Sequence, residues 1–225
     1  MSSLAYVLDH AQVEDAHVAK RQLVARQVAD KALVLKSLRD RMVRPQVARP
    51  GHLGMEAPAL DAWLGGWPLG AISEVAGLPG SGRLALVLPL MRRLARRGAR
   101  VVVIDPAQSF HPPSLPELCE SVLLLRPPPA QAAWAAEQAA RAGAVELVVL
   151  LDLALSGRAG MRLGKAAEAG GTAVIAITER ADPDVPASLR LLAAGWADPD
   201  TLRVECSRAR DGRAIGERCV RLVGG

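Results

Sequence analysis

The sequence predicts an α/β fold: a parallel sheet flanked by helices, with an N-terminal helical arm and a C-terminal antiparallel β-hairpin. Three observations predict it. Short continuous apolar runs alternate with helical segments from Ile72 to Thr178, the pattern of strands buried on both faces. A glycine-rich loop, G-L-P-G-S-G-R-L from Gly77 to Leu84, stands between the first of these runs and a helix. Near the C-terminus, Asp211-Gly212 separates two further runs in the manner of a tight hairpin turn.

Taken in order, residues 1–49 form an arm and linker and residues 50–225 the core. Ala11 to Val43 contains neither Pro nor Gly and reads as one long helix. Within it Val24, Val28, Leu35, Leu38 and Met42 recur at spacings of four and three, with Lys31 interrupting the seam. Such a seam needs cover, from its own domain or from a partner, and Val24, Val28, Leu35 and Leu38 are the candidate partner-binding residues. Arg44 to Gly54, with Pro45, Pro50, Gly51 and Gly54, is a linker. The core then alternates: strand Ile72–Ala76, helix Leu84–Arg97 kinked by Pro89, strand Val101–Asp105, strand Val122–Leu125, helix Gln131–Ala142, strand Leu147–Asp152, a short helix Met161–Ala169 and strand Thr172–Thr178. Leu202–Ser207 and Arg218–Val223 are the hairpin strands.

Composition narrows the function classes. The chain has 225 residues, 50% of them hydrophobic, enough for one sizeable core. Runs such as Val145–Leu151 fall far short of a bilayer span, and the N-terminus lacks the apolar stretch of a signal peptide, so no membrane partner and a cytoplasmic location are expected. Cys119, Cys206 and Cys219 form no pair motif or Cys/His cluster, so neither a disulfide framework nor a metal site is expected. A net charge of +5 suits contact with nucleic acid or an acidic protein. The basic residues concentrate in Arg92, Arg93, Arg96 and Arg97, which read first as the solvated face of a helix, and again in Arg208, Arg210, Arg213 and Arg218, which suit a solvated hairpin; together they are the candidate patch for DNA or a partner. With aromatics at 3%, a base-stacking platform for single strands is not expected.

The glycine loop carries the sharpest chemical signal. A working phosphate loop reads G-x-x-x-x-G-K-[ST]: backbone N–H groups cradle phosphates, the lysine reaches the outer ones, and the hydroxyl holds Mg²⁺. Here Gly77 and Gly82 are present, with Gly80 and Ser81 between them, but Arg83 and Leu84 fill the last two places. Arginine is a broad planar fork rather than a compact ammonium, and leucine cannot ligate a metal. Asp152 closes the apolar run Val148–Leu151, where a nucleotide hydrolase carries the acid for the metal's water shell. These residues define a vestigial nucleotide site with no catalytic residue; no cofactor is expected, ATP being the only candidate.

The wider pattern resembles the RecA recombinase family. Leu60-Asp61, Leu64-Gly65-Gly66, Pro68, Gly70, Ile72, Glu74 and Gly77 follow the spacing of RecA's lead into its phosphate loop, and V-I-D-P-A-Q-S-F-H-P from Val103 to Pro112 resembles F-I-D-A-E-H-A-L-D-P. The resemblance covers roughly Pro50 to Val223 and implies a RecA-like core. It also implies a missing catalytic element, since the family's water-polarising glutamate corresponds to Ala107. Glu179 stands where the family's phosphate-sensing glutamine would be, in T-A-V-I-A-I-T-E. The stretches Leu153–Arg158 and Arg180–Ser188 are too short to copy RecA's two DNA-binding loops.

The closing segment C-S-R-A-R-D-G-R-A-I-G-E-R, Cys206 to Arg218, is similar to the arginine-rich stretch of the ImuA family, RecA-like proteins of bacterial mutagenesis cassettes. That resemblance implies a non-catalytic adaptor supporting error-prone translesion synthesis, nucleoid-associated on damage. Its implied partners are RecA, an ImuB-like inactive Y-family polymerase and an error-prone C-family DNA polymerase, with self-association compatible and any DNA contact weak. Two alternatives stay open: a divergent P-loop ATPase or nucleotide-binding switch, and a SulA-like cell-division inhibitor.

Overall fold

The computed structural model describes residues 51–111, 115, 118, 120–210 and 214–222. The arm with Val24, Val28, Leu35 and Leu38 lies outside the described residues, as do Cys119, Arg213 and the Asp211-Gly212 turn. The core opens with a two-stranded antiparallel ribbon, β1 (His52–Leu53) and β2 (Trp67–Pro68), in which Leu53 faces Trp67. Helix α1 (Pro58–Leu64) lies between them in sequence. Pro58 suits its first turn, where the missing N–H has no partner to lose. Gly65, at φ 71, ends it in the left-handed conformation and donates its N–H to Asp61 O.

The remaining strands form one eight-stranded sheet: β3 (Ile72–Ala76), β4 (Val101–Ile104), β5 (Val122–Leu125), β6 (Leu147–Leu151), β7 (Ala173–Thr178), β8 (Ala187–Asp198), β9 (Thr201–Ala209) and β10 (Gly216–Arg221). Their spatial order is β10-β9-β8-β3-β7-β6-β4-β5. All pairings from β8 to β5 are parallel, whereas β8–β9 and β9–β10 are antiparallel. The expected hairpin is present, with Val204 opposite Arg218 and Leu202 opposite Val220. Because side chains alternate across a strand, Val75, Val101, Val103, Val149, Ile175 and Leu191 face one way. There they share a core with Leu60 and Trp63 of α1 and with Leu90, Met91 and Leu94 of α2 (Leu88–Arg96). The opposite face is covered by α3 (Pro129–Arg141) and α4 (Gly157–Gly170), which pack beside each other and bury small residues, Ala132, Ala136 and Ala140 on one and Gly160, Ala166 and Ala167 on the other.

Three expectations are corrected. The helix expected from Leu84 with a kink at Pro89 begins at Leu88, with Pro89 in its first turn. Residues 83–87 are turns in which Leu86 N–H reaches Gly82 O and Leu88 N–H reaches Leu84 O. Pro89 has no N–H to offer Ala85, so the ladder breaks there and regular helix follows rather than precedes the proline. The short helix Met161–Ala169 extends back to Gly157, capped by Ser156, whose Oγ accepts from Ala159 N–H. Finally, β8 was not expected at all; it takes Ala187 and Ser188 out of the presumed loop Arg180–Ser188 and supplies the pairing edge for β9.

Candidate functional site

The glycine loop leaves the C-terminal end of β3, and its entry is pinned to the neighbouring strand: Gly77 N–H donates to Thr178 O. Gly77, at φ 154, has its α-carbon so close to β8 that a Cβ there would sit 2.9 Å from Ala193 O. Gly82 is equally constrained: at φ 91, a Cβ would fall 2.5 Å from Leu202 Cδ1 and 3.3 Å from Trp196 Cε2. The loop also turns on itself, since Ser81 N–H donates to Leu78 O at 3.0 Å.

Asp152 follows β6, and its N–H is held by Ile177 O. Its φ of 50 is left-handed, a region that Asp and Asn tolerate better than most residues. From that position Asp152 Oδ1 lies 2.7 Å from Arg83 Nη1, off the axis of a hydrogen bond, so the contact is ionic. The Arg83 side chain is 12% exposed and that of Asp152 28%.

Both residues line a cavity of about 320 Å³ at the C-terminal edge of the sheet, together with Gly80, Gly82 and Leu84. Gly77 and Ser81 shape the loop behind it without lining it, and Glu179 is exposed outside its lining. The lining residues that were not anticipated include Ser109, Phe110 and Trp196, from outside the glycine loop and the strand that ends at Asp152. Ser109 and Phe110 are set by buried Asp105, whose carboxylate accepts from Ser109 N–H (2.9 Å), Ser109 Oγ (3.2 Å) and Phe110 N–H (3.0 Å). An Asp at a strand end followed by Ser was the available signal for that loop. Trp196 belongs to β8 and became visible only with that strand.

The arginine cluster is partly engaged inside the fold. Arg93 donates to Gly54 O, and Arg96 pairs with Glu56, so these two fasten α2 to the segment before α1. Arg92 is half-buried and Arg97 exposed. On the hairpin, Arg208 and Arg210 are exposed, while the Arg218 guanidinium stands 5.6 Å from the centre of the Trp63 ring, a cation–π contact. Among the described residues no group of His, Cys, Asp and Glu is arranged to hold a metal ion, and no helix is long and apolar enough to cross a membrane.

No family model matches the chain, and no curated protein matches it in sequence. Among solved structures it is similar to the crystal structure of the RadB recombinase, with a TM-score of 0.62 at 18% identity over 76% of this chain and 96% of that one. At that identity the likeness speaks for the fold. The core is a RecA-like α/β fold, as the sequence resemblance implied.

Proposed function

We propose that this protein is a non-catalytic RecA-like adaptor of the ImuA type, acting in the bacterial DNA-damage response. It would support error-prone translesion synthesis by contacting RecA, an ImuB-like inactive polymerase relative and a C-family polymerase. The observation that carries the reading is the pairing of Arg83 with Asp152 inside a RecA-like core, beside a leucine in the metal-ligand position. A recombinase hydrolyses nucleotide with a free cation, a metal ligand and a water-polarising carboxylate; this chain has Arg83, Leu84 and Ala107 in those places. What such a core retains is shape, and the shape of a filament subunit suits contacts with RecA. The arginine-rich similarity from Cys206 to Arg218 supports the mutagenesis setting.

The test is ATP turnover by the host's RecA on single-stranded DNA with increasing amounts of this protein, beside a blank without RecA. A silent blank with altered RecA turnover is the expected result. Turnover in the blank that disappears in Asp152→Ala overturns the non-catalytic reading. A silent blank with unaltered RecA turnover removes RecA from the partners.

A further inference from the structure

We infer that the Arg83–Asp152 ion pair is an internal substitute for nucleotide, a latch that holds the phosphate loop in one conformation and leaves the cleft without response to Mg²⁺-nucleotide. A Mg²⁺-nucleotide needs a free cation for its outer phosphates, a hydroxyl on the metal and an acid for the metal's water shell. In this cleft the cation and the acid are 2.7 Å apart and spent on each other, and Leu84 offers the metal nothing. The residues present therefore do not fit the group that the fold implies. Phosphate binding by Arg83 would uncover the Asp152 carboxylate, and metal binding by Asp152 would leave without its partner a guanidinium whose side chain is only 12% exposed.

The position of the pair in the sheet explains how it acts on the loop. Arg83 follows β3 and Asp152 follows β6, and these strands are not neighbours, because β7 runs between them. The end of β7 already holds both flanks, through Thr178 O to Gly77 N–H and Ile177 O to Asp152 N–H. The ion pair closes the span above β7, so three strand ends are tied without any ligand. The left-handed Asp152 fits this role: an uncommon backbone conformation persists where its surroundings over-determine it. In a nucleotide-dependent protein the loop's conformation follows its ligand; here the sequence supplies the contact permanently. The inference deepens the adaptor reading and rests on it for one consequence, that the surface around the cleft stays constant whatever the nucleotide level.

The full chain and the variants R83Q, D152N and R83Q/D152N test it by thermal unfolding, with Mg²⁺-ATP, Mg²⁺-ADP, or pyrophosphate in EDTA, each in the millimolar range. Asparagine keeps the shape of Asp152 and tolerates its left-handed backbone, so D152N removes the charge without unfolding the turn. The expected results are a wild-type Tm indifferent to every ligand and a D152N Tm that rises by a few degrees with pyrophosphate without metal, because Arg83 is released. The rise should vanish in R83Q/D152N, and the double variant should lose less Tm than the two single losses combined. A wild-type rise with Mg²⁺-ATP that EDTA abolishes, additive single losses, or a D152N variant blind to pyrophosphate would each overturn the latch. Failure here is separable from failure of the adaptor reading: a protein that binds Mg²⁺-ATP yet alters RecA turnover loses the latch and keeps the function.

Discussion

Arg83 and Asp152 come from the ends of two strands that a third strand separates, yet their side chains meet at 2.7 Å. The relationship turns two apparent losses into one arrangement. A lysine at position 83 would place a compact, strongly hydrated charge near the loop; arginine's longer fork spans to the far strand end and is less costly to shield. Once the acid is engaged, a metal-binding hydroxyl at position 84 has no partner chemistry, and Leu84 contributes to the apolar side of the cavity instead.

Reversing the two substitutions should therefore restore binding before it restores chemistry. In R83K/L84T the ammonium is returned for the phosphates and a hydroxyl for Mg²⁺, and Asp152 is freed for the metal's water shell. Calorimetry should detect Mg²⁺-dependent ATP binding that EDTA removes, while phosphate release stays at the blank level, since Ala107 supplies no carboxylate. Absence of binding would locate the closure elsewhere in the loop, in the turn from Leu78 O to Ser81 N–H.

Gly80 and Gly82 both have positive φ, 81 and 91, but their surroundings differ. A Cβ at Gly80 meets nothing within 4 Å, whereas one at Gly82 collides with Leu202 on β9. Gly80→Ala should cost only the backbone term, about 1–2 kcal/mol. Gly82→Ala adds overpacking of about 1–3 kcal/mol. Urea unfolding of the two variants gives the comparison, and equal midpoints would mean that Leu202 moves aside freely.

The sequence revealed those parts of the fold whose burial is two-sided. Val101–Ile104, Leu147–Leu151 and Ala173–Thr178 are continuous apolar runs because helices cover both faces of the parallel region. β8 was hidden for the converse reason. Its alternation of buried Leu189, Leu191 and Ala193 with more open positions is written largely in alanine and leucine, with Gly195 at an irregularity in register, and such residues carry little strand preference. Losing β8 also lost Trp196 from the cavity wall. The glycines, Arg83 and Asp152 were legible as types, but their pairing depends on strand order, which no local pattern encodes.

The segment linking β7 to β8 is held by a buried charge pair. Glu74 Oε2 accepts from Arg190 Nε at 2.6 Å, and Glu74 Oε1 accepts from Asp182 N–H at 2.8 Å. Arg190 Nη2 also donates to Asp182 O and Val185 O. Glu74 is 2% exposed in its side chain, so removing it strands a guanidinium and an amide together. Glu74→Ala should cost about 3–5 kcal/mol in urea unfolding, and Glu74→Gln, which keeps an acceptor, measurably less. Amide exchange at Asp182 should accelerate in the alanine variant alone. A loss under about 1 kcal/mol for Glu74→Ala would mean water replaces the carboxylate there.

The turn between β8 and β9 should carry a small acid sensitivity. The Asp198 carboxyl is held below the ordinary aspartate range, chiefly by a hydrogen bond from the Thr201 side chain, then by the Asp200 N–H, with Arg221 adding a weaker attraction. The Asp200 N–H lies 2.9 Å from Asp198 Oδ1. A carboxyl depressed in the folded state binds its proton more readily once unfolded. Its contribution to stability is thus complete above the unfolded pKa and is lost as pH falls through the lower folded value. Asp198→Asn should flatten the acid limb of stability over that window and leave neutral pH untouched. In a carbon-detected NMR titration, Thr201→Val should move the Asp198 midpoint upward more than Arg221→Gln does, because the larger cause is removed. The reverse order would make charge, rather than the hydrogen bond, the origin of the shift, and the midpoint would then respond strongly to salt.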